Sequence, residues 1–173
     1  MSFSWRYHRE VKKYKEAQKK TFKGWEVLAK VTDVHDGDTI TVTAKLPGDT
    51  QPFQYKVRLF GIDTPELSRV TNEPNPDLHL RAGREVRDRL TEKIPLGAVI
   101  AFRGEGKGKF GRKLGTLRTL KWSWAKFGWV GKENLNSWLL EAKLALPYDG
   151  KSKQAFEKDF LEKIVGEMKI SRV

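Results

Sequence analysis

The sequence predicts an α+β fold, because strand-like and helix-like hydrophobic periods occupy separate parts of the chain. Apolar and polar residues alternate between Trp25 and Ile62, which is the period of β-strands. Apolar residues then recur every fourth position between Asp77 and Lys93, which is the period of an amphipathic helix. Two more strand-like runs and two further helical segments follow.

The first 24 residues are predicted to be a basic extension that precedes the folded domain, residues 25–173. Tyr7, Val11 and Tyr14 are spaced as on one face of a helix, so the extension is expected to be an amphipathic basic helix. The lysines of this helix can bind phosphates. Alternatively, the apolar face packs on the core and the lysines remain in water. The second is the commoner fate of such a helix.

Three predicted strands form a meander over residues 25–62. They read WEVLAKVTDV, DTITVTAKL and FQYKVRLFGI, and the turns HDG and PGDTQP separate them. A loop with three prolines follows over residues 63–76. Long irregular loops in compact domains are often functional, so this loop is a candidate for the site.

The rest of the chain predicts helix, strand, strand and two helices. The helix Asp77–Lys93 is followed by the strands GAVIAFR and KLGTLRTLKW, with a glycine-rich turn between them, while residues 122–133 show no reliable period. Asn134 is expected to cap the next helix. The apolar positions of the three helices are Leu78, Ala82, Val86, Leu90, then Leu135, Trp138, Leu139, Ala142, then Phe156, Phe160, Ile164 and Met168.

This order of elements is that of a five-stranded OB-type β-barrel with about three flanking helices and the N-terminal basic helix. Such a barrel is compatible with binding single-stranded nucleic acid, but a fold alone does not give a function.

The charge of the chain favours a polyanionic partner. It has 34 Lys and Arg against 22 Asp and Glu, a net charge of +12 and a pI near 9.9. Nucleic acid is the first expectation and an acidic membrane the second. With no Cys and only three His, a disulfide framework and a thiolate zinc site are excluded. We expect no membrane span and no signal peptide, a cytoplasmic location and a monomer.

The glycines Gly106, Gly108 and Gly111 have the G-x-G-x-x-G spacing of phosphate-binding loops. A dinucleotide-binding fold needs a helix after the glycines, whereas a strand-like run follows here. A kinase loop joins two strands, but the lysine and aspartate motifs of kinases are missing. The segment is therefore interpreted as a flexible hairpin that projects Arg112.

Two acidic segments are expected to meet at one edge of the meander. Asp36 and Asp38 flank Gly37 before strand two, and Asp63 follows strand three. Each segment alone is typical of an ordinary turn. Together they place Asp38 and Asp63 close enough to share an ion, while a proline after Thr64 fixes the direction of the Thr64 carbonyl. Carboxylates without His or Cys favour Ca²⁺ over Mg²⁺ or Mn²⁺.

Three blocks of the sequence, DGDT at 36–39, VRLFGIDTPE at 57–66 and GRKLG at 111–115, resemble the staphylococcal nuclease (thermonuclease-like) family. The resemblance runs from about Lys30 to Tyr148 and implies an OB-fold and calcium-dependent cleavage of DNA and RNA. By motif position it implies the catalytic residues Arg58, Glu66 and Arg112. It also implies a calcium site at Asp38, Asp63 and the Thr64 carbonyl, with Asp36 acting through water.

The predicted substrate-binding residues are Tyr148, Lys109 and Phe110. Tyr148 can stack on a base or sugar, or it can be a core contact at a helix end. The family's turn usually has tyrosine where this chain has Phe110, so a hydroxyl that could contact a terminal phosphate is lost. The tryptophans of residues 122–129 can stack on bases or pack in the core.

Two functions compete. The first is an active nuclease on DNA and RNA, with single strands preferred. The second is an OB-fold module that binds nucleic acid or a protein without cleaving. The nuclease is favoured because its five main site residues are all present: Asp38, Arg58, Asp63, Glu66 and Arg112. A basic membrane-surface or structural protein would leave the carboxylates unexplained.

Overall fold

The structure is a computed structural model. It describes residues 23–68, 74–108, 111–123, 125–126, 128–151 and 153–166. The predicted helix in the basic extension, the turn residues Lys109 and Phe110, and Met168 lie outside the described residues.

Six strands form one mostly antiparallel sheet in the described part of the chain. In chain order they are β1 (Lys23–Val34), β2 (Thr39–Ala44), β3 (Phe53–Leu59), β5 (Val99–Lys107), β6 (Lys113–Ser123) and β7 (Gly128–Asn134). Their order in the sheet is β3-β2-β1-β5-β6-β7. Two short strands, β4 (Ile62–Asp63) and β8 (Leu146–Pro147), pair with each other in a second sheet. The described helices are α1 (Pro76–Lys93), α2 (Leu135–Glu141) and α3 (Lys158–Gly166).

Strand β3 has two neighbours in the sheet. It pairs antiparallel with β2 along its whole length, and it pairs parallel with β6 through Val57, Arg58 and Leu59. The end of β3 therefore lies beside the start of β6, which directly follows Arg112. This pairing brings together residues that are 56 positions apart in sequence, such as Val57 and Lys113.

The α+β class is confirmed, but the strand count is larger than expected. The five predicted strands are present, and β1 begins at Lys23, slightly before the expected domain boundary. Strand β7 was not predicted. It pairs antiparallel with β6, with Trp122 opposite Trp129 in the register. Glycines and lysines interrupt this stretch, so its sequence does not alternate and carries no strand period.

The core is formed by buried residues of the sheet and of the three described helices. The inward residues of β1 and β2 are fully buried, as are three of the four residues in the predicted α1 stripe: Val31, Ile40, Val42, Ala82, Val86 and Leu90. Burying a large aliphatic side chain contributes about 1.5–3 kcal/mol, so this packing fixes α1 on the sheet. The last helix differs from the prediction, because Phe156 precedes α3 and Leu161 is buried on it.

Helix α1 also contacts the proline-containing loop that follows β4. A Cβ atom on Gly83 would lie 2.6 Å from the Glu66 carbonyl oxygen and 2.8 Å from that of Pro65. Real Cβ atoms do not approach a backbone this closely, so glycine lets the helix pack directly on the loop. The position of Glu66 is thus set by the helix. No helix in the described ranges is long and apolar enough to cross a bilayer.

Asparagine side chains fix α2 to the sheet. Asn134 caps the helix as predicted, and its side-chain oxygen accepts from the N–H groups of Asn136 and Ser137. Asn136 is buried, and its side-chain oxygen accepts from the Leu117 N–H. The amide nitrogen of Asn136 donates to the carbonyl oxygens of Phe60 and Gly115. One side chain therefore ties α2 to β6 and to the turn after β3.

We expect Asn136→Ala to lower the free energy of unfolding by about 3 kcal/mol, because buried backbone groups lose their partner. Urea unfolding followed by circular dichroism measures the change. The control is Glu141→Ala on the same helix, where the side chain is exposed and a change within about 0.5 kcal/mol is expected. Equal midpoints for the two variants would contradict this role of Asn136.

Candidate functional site

The turn between β1 and β2 is packed against the loop that follows β4. The carboxylate of Asp36 accepts from the Asp38 N–H at 3.0 Å, which closes the turn. The Asp38 carbonyl accepts from the Leu59 N–H at 2.7 Å, which ties the turn to the end of β3. A Cβ atom on Gly37 would lie 2.8 Å from Thr64 Oγ1 and 2.5 Å from a Val86 methyl group. Glycine thus lets the two acidic segments lie in contact.

Arg58 joins the two aspartates. Its Nη1 lies 2.7 Å from Asp38 Oδ1, and its Nη2 lies 2.6 Å from Asp63 Oδ1. Asp38 and Asp63 are each 2% exposed and Arg58 is 8% exposed. The structure therefore brings these three predicted residues together in a buried ion-pair network. Strand position explains this, because Arg58 is opposite Thr39 in the register of β3 and β2.

Burial and ion pairing shift the pKa values of this network in opposite directions. Burial raises the pKa of Asp38 to about 7; Arg58 lowers it in part, and the nearby Asp36 raises it. For Arg58, burial lowers the pKa, but Asp38 and Asp63 outweigh that effect and raise it above its ordinary value. The guanidinium group is thus held in its charged form by two carboxylates.

One oxygen of the network fits an added cation. Asp63 Oδ2 is buried and has no hydrogen-bond partner within the described residues. Leaving a charged oxygen unpartnered in a buried site is unfavourable, and a hard cation is a suitable partner for it. In the described ranges, no group of three or more His, Cys, Asp or Glu side chains is close enough to hold a metal ion. An ion at Asp38 and Asp63 would therefore complete its shell with backbone oxygens and water.

Glu66 is held from both ends by residues that the sequence analysis did not predict. The Glu66 N–H donates to His79 Nε2 of α1 at 2.9 Å. The Glu66 carboxylate accepts from Lys153 Nζ at 2.6 Å, and the same ammonium lies 3.0 Å from Asp63 Oδ1. Burial lowers the pKa of Lys153, but its contacts with Glu66 and Asp63 outweigh burial and raise it.

No sequence motif indicates Lys153, since it stands in an irregular segment between β8 and α3. Its approach depends on the pairing of β8 with β4, in which Leu146 lies opposite Asp63. His79 could have been suspected, because it stands in the first turn of a helix that was predicted to pack on the core. Its hydrogen bond to a backbone amide carries no sequence signal.

Two further predicted residues, Arg112 and Tyr148, lie around an open cleft. A cleft of about 610 Å³ is lined by Arg58, Glu66, Arg112 and Tyr148 together with Lys107 and Lys153. The ring of Tyr148 lies 5.7 Å from the guanidinium carbon of Arg58, and the Tyr148 N–H donates to the Gly61 carbonyl oxygen. Tyr148 is therefore a half-buried wall of the cleft. The other two predicted substrate-binding residues, Lys109 and Phe110, lie outside the described residues.

In comparisons with known proteins, no family model matches this chain and no curated protein matches it. The resemblance to the thermonuclease-like family therefore rests on its three sequence blocks.

We expect Arg58→Met to lower the free energy of unfolding by about 3–5 kcal/mol, because Asp38 and Asp63 lose the cation that they share. Thermal and urea unfolding at neutral pH measure the loss. The control is Arg81→Met, since Arg81 is exposed on α1 and a change within about 0.5 kcal/mol is expected. A loss no larger than that of the control would show that the network does not stabilise the fold.

Proposed function

We propose that this protein is a calcium-dependent nuclease that hydrolyses phosphodiester bonds of DNA and RNA. The observation that carries the proposal is the cleft in which Arg58, Glu66 and Arg112 meet beside the buried pair Asp38 and Asp63. Metal-assisted phosphate hydrolysis can use all of these groups. The guanidinium groups can bind the phosphate, the solvent-contacting carboxylate can act on water, and the two buried carboxylates can hold the ion.

The proposed architecture is an OB-type barrel formed by β1, β2, β3, β5 and β6. The proposal is supported by the pairing of β3 with both β2 and β6. Because of it, the strand order β3-β2-β1-β5-β6 returns to β3. In such barrels the curved sheet and its loops bind single-stranded nucleic acid. Strand β7 would then be an extension of β6 outside the ring.

The cleft suits a flexible polyanion. Lys107, Lys151 and Arg112 line it, and the whole chain carries a net charge of +12. Contacts with phosphates give affinity without sequence preference. The half-buried ring of Tyr148 offers a stacking surface for a base or sugar, which favours single strands because their bases are accessible.

The catalytic roles follow from the chemistry of each group. Glu66 accepts the proton of the attacking water or orients that water. Attack on phosphorus places negative charge on the equatorial oxygens, and Arg58 and Arg112 offset that charge through hydrogen bonds. Arg58 is held in place by the two aspartates, so its orientation is fixed before substrate binds.

The calcium site would be formed by Asp38, Asp63 and the carbonyl of Thr64, with Asp36 acting through water. A cation bound there supplies positive charge beside the scissile phosphate. The unpartnered Asp63 Oδ2 supports this assignment, because an ion would satisfy it.

The second candidate is a module that binds nucleic acid or a protein ligand without cleaving. It is favoured by the contact of Glu66 with Lys153, which engages the proposed base in an ion pair. Binding and cleavage assays on the same variants separate the two functions.

We expect plasmid DNA and single-stranded RNA to be degraded when calcium is added and to be spared in chelator. The reason is that a cation beside the scissile phosphate would offset the negative charge that develops when water attacks. Gel analysis of the products over time measures cleavage, and end-group analysis identifies which side of the phosphate is cut. Cleavage at full rate in chelator would refute the role of calcium.

We expect Glu66→Gln to slow cleavage at least about 100-fold, because the amide cannot accept the proton of the attacking water. Binding of a short single-stranded oligonucleotide should change little, since phosphate contacts come from other groups. The matched control is Glu92→Gln, which changes an exposed carboxylate on α1. Wild-type turnover by the Glu66 variant would remove this residue from the mechanism.

A further inference from the structure

A segment near the C-terminus reaches the candidate site at two points. Lys153 Nζ bridges Glu66 Oε1 at 2.6 Å and Asp63 Oδ1 at 3.0 Å. Three residues later, the buried Phe156 packs edge-on against the ring of His79, with the centroids 5.5 Å apart. His79 in turn accepts the backbone N–H of Glu66. The segment thus holds both the carboxylate and the backbone of the proposed base.

We propose that Lys153 is an internal competitor of the divalent cation and holds Glu66 until that cation binds. The inference rests on the proposed function, because it assigns a role to Lys153 at the same site. Its ammonium group contacts one oxygen of Asp63, a proposed ligand, and one oxygen of Glu66, the proposed base. A cation that binds Asp63 repels the ammonium, and release of the ammonium frees the Glu66 carboxylate.

The geometry allows this exchange at low cost. The side chain of Lys153 is 48% exposed, so its ammonium can move into water on a flexible stem. Asp63 Oδ1 already accepts from Arg58 and Lys153, whereas Asp63 Oδ2 has no partner within the described residues. Oδ2 is therefore the Asp63 oxygen that is left for a cation, while Oδ1 contacts Arg58 and Lys153. Because binding equilibria are reciprocal, a lysine that weakens cation binding is itself loosened by the cation.

The test is isothermal titration of calcium into the full chain without nucleic acid, at about 0.1 M salt, where long-range charge effects are screened. We expect Lys153→Met to bind calcium about tenfold more tightly than the wild type, because a contacting like charge is removed. Lys153→Arg keeps the charge and should bind like the wild type.

The matched control is Lys151→Met. Lys151 lines the same cleft, and no contact between it and Asp63 or Glu66 is present in the described structure. Removing its charge should change calcium affinity by less than about twofold, since Lys151 is exposed and salt screens exposed charges. The difference in calcium affinity between the two methionine variants therefore separates the effect of the direct contact from the effect of overall charge.

The inference is overturned if Lys153→Met binds calcium no more tightly than Lys151→Met, or more weakly, which would show that Lys153 organises the ligands. It is also overturned if none of these proteins binds calcium. Circular dichroism melting checks the fold of each variant, and Lys153→Gln replaces the methionine variant if that one is unfolded.

The outcomes for this inference and for the proposed nuclease are separable. Calcium-dependent cleavage, together with equal calcium affinities of Lys153→Met and Lys151→Met, would support the nuclease and refute the role of Lys153 as a competitor. If Lys153→Met binds calcium more tightly but the protein cleaves neither DNA nor RNA, the competitor role of Lys153 is supported and the nuclease function is refuted.

Discussion

The buried contact of Arg58 with Asp38 and Asp63 is the interaction on which the candidate site depends. These side chains come from β3, from the turn before β2 and from β4, and all three are nearly inaccessible to solvent. In a low-dielectric setting two neighbouring carboxylates repel each other strongly, so a shared cation is needed to hold them close. The guanidinium group supplies that charge and, through its planar donors, also a fixed geometry. The guanidinium group thereby fixes the positions of the two aspartates at this edge of the sheet.

Much of this edge could be predicted because it depends on local backbone rules. Strand alternation located β1, β2 and β3, and a meander places the start of its second strand near the end of its third. Asp38 and Asp63 were therefore expected to approach each other, and their contacts with one guanidinium group agree with that expectation. The proline after Thr64 and the glycine between Asp36 and Asp38 are local features whose backbone effects can be read without tertiary information.

The parts that could not be predicted depend on pairings between distant segments. Strands β4 and β8 have two residues each, which is too short for any hydrophobic period to appear. Their pairing nevertheless places Leu146 opposite Asp63, and the segment that follows β8 brings Lys153 into contact with Asp63. Lys153 meets Glu66 across 87 positions of sequence, so spacing alone could not connect the two residues. Strand β7 has no strand-like period for another reason, because its two glycines and its lysine interrupt the alternation of apolar and polar residues.

Under the proposed function, the balance of charge gives a reason for the site to exchange one cation for another. Asp38, Asp63 and Glu66 supply three carboxylates, and two cationic groups, Arg58 and Lys153, contact them. Arg58 is buried and fixed, whereas Lys153 is about half exposed and can leave. Under the proposed function a phosphodiester adds further negative charge, and Glu66 must release its partner to act on water. A divalent cation at the aspartates meets both requirements, because it adds more positive charge than the departing lysine removes. In this proposed scheme, Lys153 links binding of the divalent cation to release of Glu66, while Arg58 stays in place and preserves the fold.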